Sequence, residues 1–280
     1  MKVIIHGGFF SESHTDVQTK QAKQNALLRI VRESYEFLKT HTALETVAFA
    51  VSLLEDDPLF NAGIGSQIQS DGKIRMSASL MDGKSQKFSG VINIEDVKNP
   101  IFVAQHLMRE DDRVLGGEGA TLYARANGFE YFSTEIPQRR EEYLAKKAST
   151  GTGTVGCVAM DAHGNLAAAT STGGKGFEIP GRISDSATVA GNYVNEHCGV
   201  SLTGVGEDIV SGAMAAKIVT RVTDGMPIES AFQKSFAELK PFDGFAGAIG
   251  IDKNGNVFHM DSHPSMVFGS FDGENEEVFS

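Results

Sequence analysis

Tryptophan is missing from the 280-residue chain, cysteine occurs twice, and basic residues are in the minority, with 25 Lys and Arg against 36 Asp and Glu. Each shortage removes a class of function. Cys157 and Cys198 are too few for the disulfide framework of a small secreted domain, and without CxxC spacing they form neither a zinc nor a redox site. Both read as small buried apolar residues. A formal charge of −11 offers no cluster of Lys and Arg for phosphates, so neither nucleic acid nor an anionic membrane is expected as a partner. No apolar run approaches the roughly 18 residues of a membrane helix, and the opening Met1–His6 is too short for a signal-peptide core. The expected location is the cytosol. His163, His197, His259 and His263 lack HExxH or CxxC partners and form no metal pattern. The acidic excess reads as a solubility feature.

What the chain has in quantity is glycine, 31 residues, which favours strands, turns and close backbone approaches over a helical bundle. With 41% hydrophobic and 22% charged residues, its composition is that of an ordinary globular protein rather than a disordered one.

Val3-Ile4-Ile5 ahead of His6-Gly7-Gly8 reads as a buried strand opening onto a glycine loop. Asp16 is placed to cap a helix running to about Lys39, and a second helix spans about Leu44 to Leu54. Short strands broken by the turn signal Ser70-Asp71-Gly72 are expected between Asn61 and Met81, then a strand over Gly90–Ile94. Helices near Ile101–Met108 and Gly119–Asn127 follow. From about Ser133 to Gly153 the chain turns charged and aperiodic and reads as an exposed linker. Val155–Met160 and Leu166–Thr170 then flank a hairpin at Ala162-His163-Gly164-Asn165. Helical patterns return at Asp208–Thr223 and Ile228–Leu239, and strands at Gly244–Ile251, Val257–Met260 and Met266–Phe268. The repeated hairpins point to an α+β fold with antiparallel-rich sheets and helices outside them.

Gly151-Thr152-Gly153-Thr154-Val155-Gly156 matches G-x-G-x-x-G, but a dinucleotide site needs a strand before the glycines and a helix after them. Here a charged linker precedes and a strand follows, so that reading fails. A Gly-Thr bond between linker and strand permits another chemistry. Cutting it would free an amine of pKa about 7.7 to 8.0 on the residue that also carries a hydroxyl, which pairs a base with a nucleophile.

Gly153-Thr154-Val155-Gly156, Ala169-Thr170-Ser171-Thr172-Gly173-Gly174 and Gly181-Arg182-Ile183-Ser184-Asp185-Ser186 together resemble the plant-type asparaginase and isoaspartyl peptidase family of N-terminal nucleophile hydrolases. His6-Gly7-Gly8, Pro58–Gly65, Met81-Asp82-Gly83 and Thr203-Gly204-Val205-Gly206-Glu207 extend the likeness over nearly the whole chain. The resemblance implies a single four-layer αββα sandwich over residues 1–280, self-cut between 153 and 154 into an α subunit (1–153) and a β subunit (154–280). It implies Thr154 as nucleophile, Thr172 as its hydrogen-bond partner, and Thr203 with the Gly204 N–H as oxyanion hole. Arg182 would hold the substrate α-carboxylate, Asp185 and the Gly206 carbonyl its α-ammonium, and Asn61 and Gly153 would support the site. Without the resemblance, Arg182 and Asp185 read equally well as charged neighbours paired with each other.

The implied substrate carries a free α-carboxylate, a free α-amine and a β-amide, as asparagine and β-aspartyl dipeptides do. No cofactor is needed for that chemistry. By the same resemblance the backbone carbonyls of Leu54, Glu55, Asp57, Phe60, Ala62 and Ile64 would hold a structural sodium ion, and the active species would be a dimer of cleaved αβ units. Phe9 and Phe10 stand where the family often has small residues, Ser77 where it often has Asp, and Ser184 where Gly is frequent. A glycosylasparaginase, and an unprocessed binding protein for acidic amino acids, are the competing expectations.

Overall fold

A computed structural model of the chain describes residues 1–9, 16–145, 153–242, 244–263 and 265–280. Strand β1 (Lys2–Phe9) carries Val3, Ile4 and Ile5, all fully buried, as in a strand covered on both faces. Helix α1 (Val17–Leu38) starts at Asp16, whose Oδ1 accepts the Thr19 N–H at 3.0 Å. Helix α2 (Ala43–Glu55) opens with a capping box between Thr42 and Glu45. Such caps are worth about 1 kcal/mol each. Both helices match the sequence expectation closely.

Residues 61–75 depart from it. In place of short strands, a 3-10 turn at Gly63–Gly65 and irregular backbone lead into β2 (Met76–Asp82). The N–H groups here are spent elsewhere than in a ladder. Gln67 donates to the Gly173 carbonyl, Ser70 to Glu178 and Gln69 to Lys73. Only the turn at Ser70-Asp71-Gly72 forms as read, closed by the Gly72 N–H on the Gln69 carbonyl at 2.9 Å. Strand β3 (Lys87–Ile94), helix α3 (Pro100–Leu107), strand β4 (Val114–Gly116) and helix α4 (Gly117–Ala126) follow.

The charged segment read as a linker contains helix α5 (Pro137–Leu144), none of whose residues is buried. Pro137 suits a first helical position, and Arg139 bonds Glu142 one turn on at 2.8 Å. Tyr143 fixes the helix by stacking on Phe177 at 5.3 Å and donating to the Ser70 carbonyl. Residues 146–152 of that segment, with Gly151 and Thr152, lie outside the described residues, as does Phe10.

The second half runs β5 (Thr154–Met160), β6 (Leu166–Thr172), β7 (Asn192–Val194), β8 (Cys198–Gly204), α6 (Gly206–Gly212), α7 (Met214–Thr223), α8 (Ile228–Ala237), β9 (Ala246–Asp252), β10 (Val257–Asp261), β11 (Met266–Phe271) and β12 (Glu276–Val278). The β5–β6 hairpin is as expected. Strands β4, β7, β8 and β12 have no counterpart in the sequence reading. β8 does alternate, with Cys198, Val200 and Leu202 in the core beneath the helices and Ser201 and Thr203 on the opposite face, bonding Thr170 and Thr154 of the large sheet. The one helix expected over Asp208–Thr223 is two, because Ala213 takes φ 47° between them. At the start of α7 the Ala215 and Ala216 N–H groups bond the Ala190 and Val189 carbonyls instead of a preceding turn.

Among the described residues the strands form an eight-stranded sheet, ordered β12-β11-β1-β5-β6-β2-β3-β4, and a four-stranded sheet, β10-β9-β8-β7. Only β3 and β4 pair in parallel. Two adjacent residues of β6 show the stacking. Thr170 Oγ1 lies 2.8 Å from Ser201 Oγ of β8, whereas Ser171 Oγ donates to Glu55 Oε1 of α2 at 2.7 Å. Successive side chains leave a strand on opposite faces, so the small sheet covers one face of the large sheet and α2 the other. Helices α1 and α3 pack against the large sheet with α2, and α7 and α8 against the small one. The chain therefore has an α+β fold with two antiparallel-rich sheets and helical layers. Full burial pushes the Glu55 carboxyl up to about 8, so it links α2 to β6 as a neutral group.

Candidate active site

Thr154 begins β5, in the middle of the large sheet, with Thr172 directly across from it at the end of β6. A pocket of about 170 Å³ opens there and brings together Gly153, Thr154 and Thr172 with Arg182, Asp185, Gly204 and Gly206. These residues come from β5, the end of β6, the segment after β6, and the junction of β8 with α6. A nearly continuous stretch of the second half of the chain thus folds back on Thr154.

Around Thr154 the partners are hydroxyls. Its N–H donates to Thr203 Oγ1 at 3.2 Å, and its Oγ1 lies 3.3 Å from Ser186 Oγ. Thr203 therefore engages the Thr154 nitrogen, while Gly204 faces the pocket. Thr172 makes a different bond from the one expected: its Oγ1 accepts the Gly174 N–H at 3.2 Å. Asn61 reaches in from the first half of the chain. Its Nδ2 donates to the Gly153 carbonyl at 2.8 Å and to the Gly174 carbonyl, while its Oδ1 accepts the Gln67 N–H at 3.2 Å. That mix of donors and acceptors fixes which way the amide points. On the other side Gly8 sits at φ 87°, where a Cβ would fall 2.5 Å from the Gly153 Cα. The Gly153-Thr154 bond is packed directly against glycine backbone. Beneath it His6 Nε2 lies 2.9 Å from Ser201 Oγ, and burial holds that imidazole neutral, down to about 3.

Around Arg182 the partners are charged. Arg182 Nε and Nη2 bond the two carboxylate oxygens of Glu207 at 2.7 and 2.9 Å, so its partner is Glu207 and not Asp185. The Arg182 fork pulls the Glu207 carboxyl down to about 2. Lys175 Nζ approaches the same carboxylate at 3.6 Å. Asp185 is 2% exposed, and its Oδ2 has no hydrogen-bond partner. Desolvation lifts its carboxyl to about 7, against the pull of its own backbone N–H and Arg182. A Cβ on Gly206 would lie 2.7 Å from Asp185 Oδ1, so only glycine lets the chain pass this close. A buried carboxylate lacking a partner is poised for a cationic ligand, and an arginine in the same pocket suits an anionic one.

Of the unusual residues, Phe9 is buried in β1 with its ring 4.0 Å from that of Phe245, Ser77 Oγ accepts the Asn93 N–H at 3.1 Å, and Ser184 lines the pocket. Among the described residues there is no cluster of three His, Cys, Asp or Glu that could hold a metal. The Leu54–Ile64 loop is where the sequence resemblance implied an ion held by backbone oxygens instead. Its Asp57 and Ala62 carbonyls each accept one N–H, from Phe60 and Gly65, whereas the Leu54 carbonyl already accepts two, from Asp56 and Asp57. A Cβ on Gly65 would fall 1.8 Å from the Phe60 oxygen, and one on Gly63 2.2 Å from the Glu55 oxygen. Both oxygens are packed against glycine backbone, and backbone oxygens are of the donor type a hard cation takes.

Sequence reasoning assigned no role to Ser186 or Glu207, although both fall in the quoted motifs. Their contacts to Thr154 and Arg182 depend on chain reversals that no spacing reveals.

Comparison with known proteins identifies the family. The family model described as Asparaginase matches residues 1–151 and 131–279. An isoaspartyl peptidase/L-asparaginase of Nostoc sp. is 42% identical, covering 98% of this chain and 92% of that protein. The isoaspartyl peptidase of Escherichia coli is 37% identical over 91% of this chain and 88% of its own length. A plant-type L-asparaginase of Pyrococcus furiosus is 35% identical over 91% of each. The chain belongs to the plant-type asparaginase and isoaspartyl peptidase family of hydrolases.

Proposed function

We propose that this family member hydrolyses the side-chain amide of L-asparagine and the isopeptide bond of β-aspartyl dipeptides, with Thr154 as an N-terminal nucleophile. The observation that carries the reading is one small pocket holding the Thr154 hydroxyl, the Arg182 guanidinium and the buried Asp185 carboxyl, one oxygen of which lacks a hydrogen-bond partner. Arg182 and Asp185 together match the zwitterionic head shared by both substrates. The Nostoc relative is named for both activities, the Escherichia coli one for the isoaspartyl peptidase and the Pyrococcus furiosus one for the asparaginase, which supports the same two substrate classes.

The nucleophile is made by self-cleavage. Thr154 Oγ1 attacks the Gly153 carbonyl carbon, the C–N bond breaks, and the hydroxyl proton ends on the departing nitrogen, giving an ester and a free amine. Water then splits the ester and leaves Gly153 as a carboxylate. Asn61 Nδ2, 2.8 Å from the carbonyl oxygen, is positioned to stabilise the charge on it. Removing such a donor from an oxyanion site costs about 3 to 4 kcal/mol of barrier.

In turnover the freed amine takes the Thr154 hydroxyl proton as Oγ1 attacks the β-amide carbonyl. The proton then passes to the leaving amine, and an aspartyl ester remains. Water, deprotonated by the same amine, releases aspartate. The Gly204 N–H with Thr203 would bind the oxyanion, and Thr172, across the ladder, would steady the start of β5.

We read the layers as a four-layer αββα sandwich and the cleaved species as a dimer of αβ units. The carbonyls of Leu54, Glu55, Asp57, Phe60, Ala62 and Ile64 would hold a sodium ion that stiffens the loop carrying Asn61 and supplies no step of the reaction.

The test is direct. Incubated protein should give two fragments on a denaturing gel, the second starting at Thr154 by N-terminal sequencing. Thr154→Ala should lose cleavage and turnover together, each by at least about a thousandfold. An intact chain that still hydrolyses asparagine overturns the mechanism, and faster release from a sugar-linked asparagine would favour a glycosylasparaginase.

A further inference from the structure

Ser186 has no part in the scheme above, yet its Oγ, at 3.3 Å, is the atom that meets the Thr154 hydroxyl. Ser186 is fully buried, where a hydroxyl must find a partner or cost about 1 to 3 kcal/mol. Its backbone is held from behind: Ser79 Oγ of β2 donates to the Ser186 carbonyl, and Asn192 Nδ2 of β7 donates to Ser79 Oγ. Ser79 and Asn192 are also fully buried. The position of Ser186 is therefore set by strands of both sheets and not by the pocket loop alone.

The chemistry of the uncut chain gives this contact a purpose. Before cleavage the Thr154 nitrogen is an amide, its lone pair delocalised into the Gly153 carbonyl and its N–H donated to Thr203 Oγ1, so it cannot accept the hydrogen of its own hydroxyl. Threonine is β-branched and has few side-chain rotamers, and one hydrogen bond can select among them. We propose that Ser186 is a positioning residue for the nucleophile: Ser186 Oγ accepts the Thr154 hydroxyl hydrogen and so turns an Oγ1 lone pair toward the carbonyl to be attacked. The assignment rests on the Thr154 reading of the previous subsection. It also makes the stretch Asp185-Ser186 two-sided, one residue facing the substrate and the next facing the attacking atom.

Because the freed amine can accept that hydrogen after cleavage, Ser186 matters most in the uncut chain. Ser186→Ala is expected to slow self-cleavage about tenfold, which corresponds to about 1.4 kcal/mol. In the cleaved fraction kcat should fall only about threefold, with KM within about twofold of wild type. Ser186→Cys, which fills the same space with a weaker acceptor, should lose less in both rates and serves if the alanine variant folds poorly. Self-cleavage at the wild-type rate in both variants overturns the assignment. So does an equal loss in both rates accompanied by a lower unfolding midpoint, the pattern of a merely structural role. Thr154→Ala separates the two proposals. If it remains active, the nucleophile reading fails; if it is inert while Ser186→Ala cleaves normally, only the Ser186 assignment fails.

Discussion

Around Arg182 the pocket holds Glu207 at 2.7 Å, Lys175 3.6 Å from Glu207, and the buried carboxyl of Asp185, whereas the side chains that bond Thr154 are the neutral hydroxyls of Thr203 and Ser186. Charge recognises ligands over several ångströms and tolerates displacement. Hydroxyl contacts do neither, and act only through placement. In the proposed reaction the two regions have separate roles: one would select a zwitterion, and the other would orient a nucleophile whose base is carried on the same residue. Substitutions among the charges should act on KM and those among the hydroxyls on rate, with pH sorting one from the other.

The largest break in that contrast comes from Arg182→Ala, which removes a charge-assisted double hydrogen bond. A loss of about 2 to 3 kcal/mol is expected in kcat/KM, roughly a hundredfold, falling mainly on KM. Steady-state kinetics on asparagine read it, and a loss confined to kcat would erase the distinction between the regions. Arg182→Lys should recover only part, since an ammonium lacks the planar fork.

A smaller effect is expected from pH. The Asp185 carboxyl, lifted to about 7 in the empty pocket, must be ionised to hold an ammonium. An acid raised in this way loses its charge as pH falls through 7, so KM should rise about tenfold from pH 8 to pH 6. Asp185→Asn should flatten that slope while raising KM throughout. A wild-type KM that does not change over this range would place the ammonium elsewhere.

The smallest effect belongs to Glu207, a half-exposed side chain that occupies the Arg182 fork. Replacing it with Gln removes the negative charge that competes with the substrate carboxylate but keeps an amide oxygen that can still accept from the guanidinium, so the gain is small. KM should fall about twofold in Glu207→Gln. A marked rise would mean that Glu207 aligns the arginine instead of competing with substrate.

The same division governed what could be read from sequence. Local signals were legible: the Asp16 cap, the β5–β6 hairpin and the α+β class with antiparallel-rich sheets follow from spacing and turn chemistry. Elements fixed by remote partners were not. Residues 61–75 look strand-like, but the Gln67 and Ser70 N–H groups bond the segment after β6 and others close local turns; α6 and α7 look continuous, but Val189 and Ala190 take the N–H groups that would join them. Within the site, the motif residues assembled in one pocket. Their wiring did not follow from adjacency: Arg182 pairs with Glu207, twenty-five positions away, rather than with Asp185 three away, because the turn into α6 brings Glu207 round to the guanidinium. Ser186 carries no composition or periodicity signal, because its importance lies in a contact thirty-two residues back along the chain.

The strand order of the large sheet has a consequence for a chain cut before residue 154. Reading across β12-β11-β1-β5-β6-β2-β3-β4, ownership alternates: the later fragment supplies β12 and β11, the earlier one β1, the later one β5 and β6, and the earlier one β2, β3 and β4. The scission itself would sever no ladder. Parting the halves would mean tearing the β11–β1, β1–β5 and β6–β2 seams at once. The two polypeptides would be interleaved like the fingers of clasped hands, inseparable by dilution and released only by denaturation.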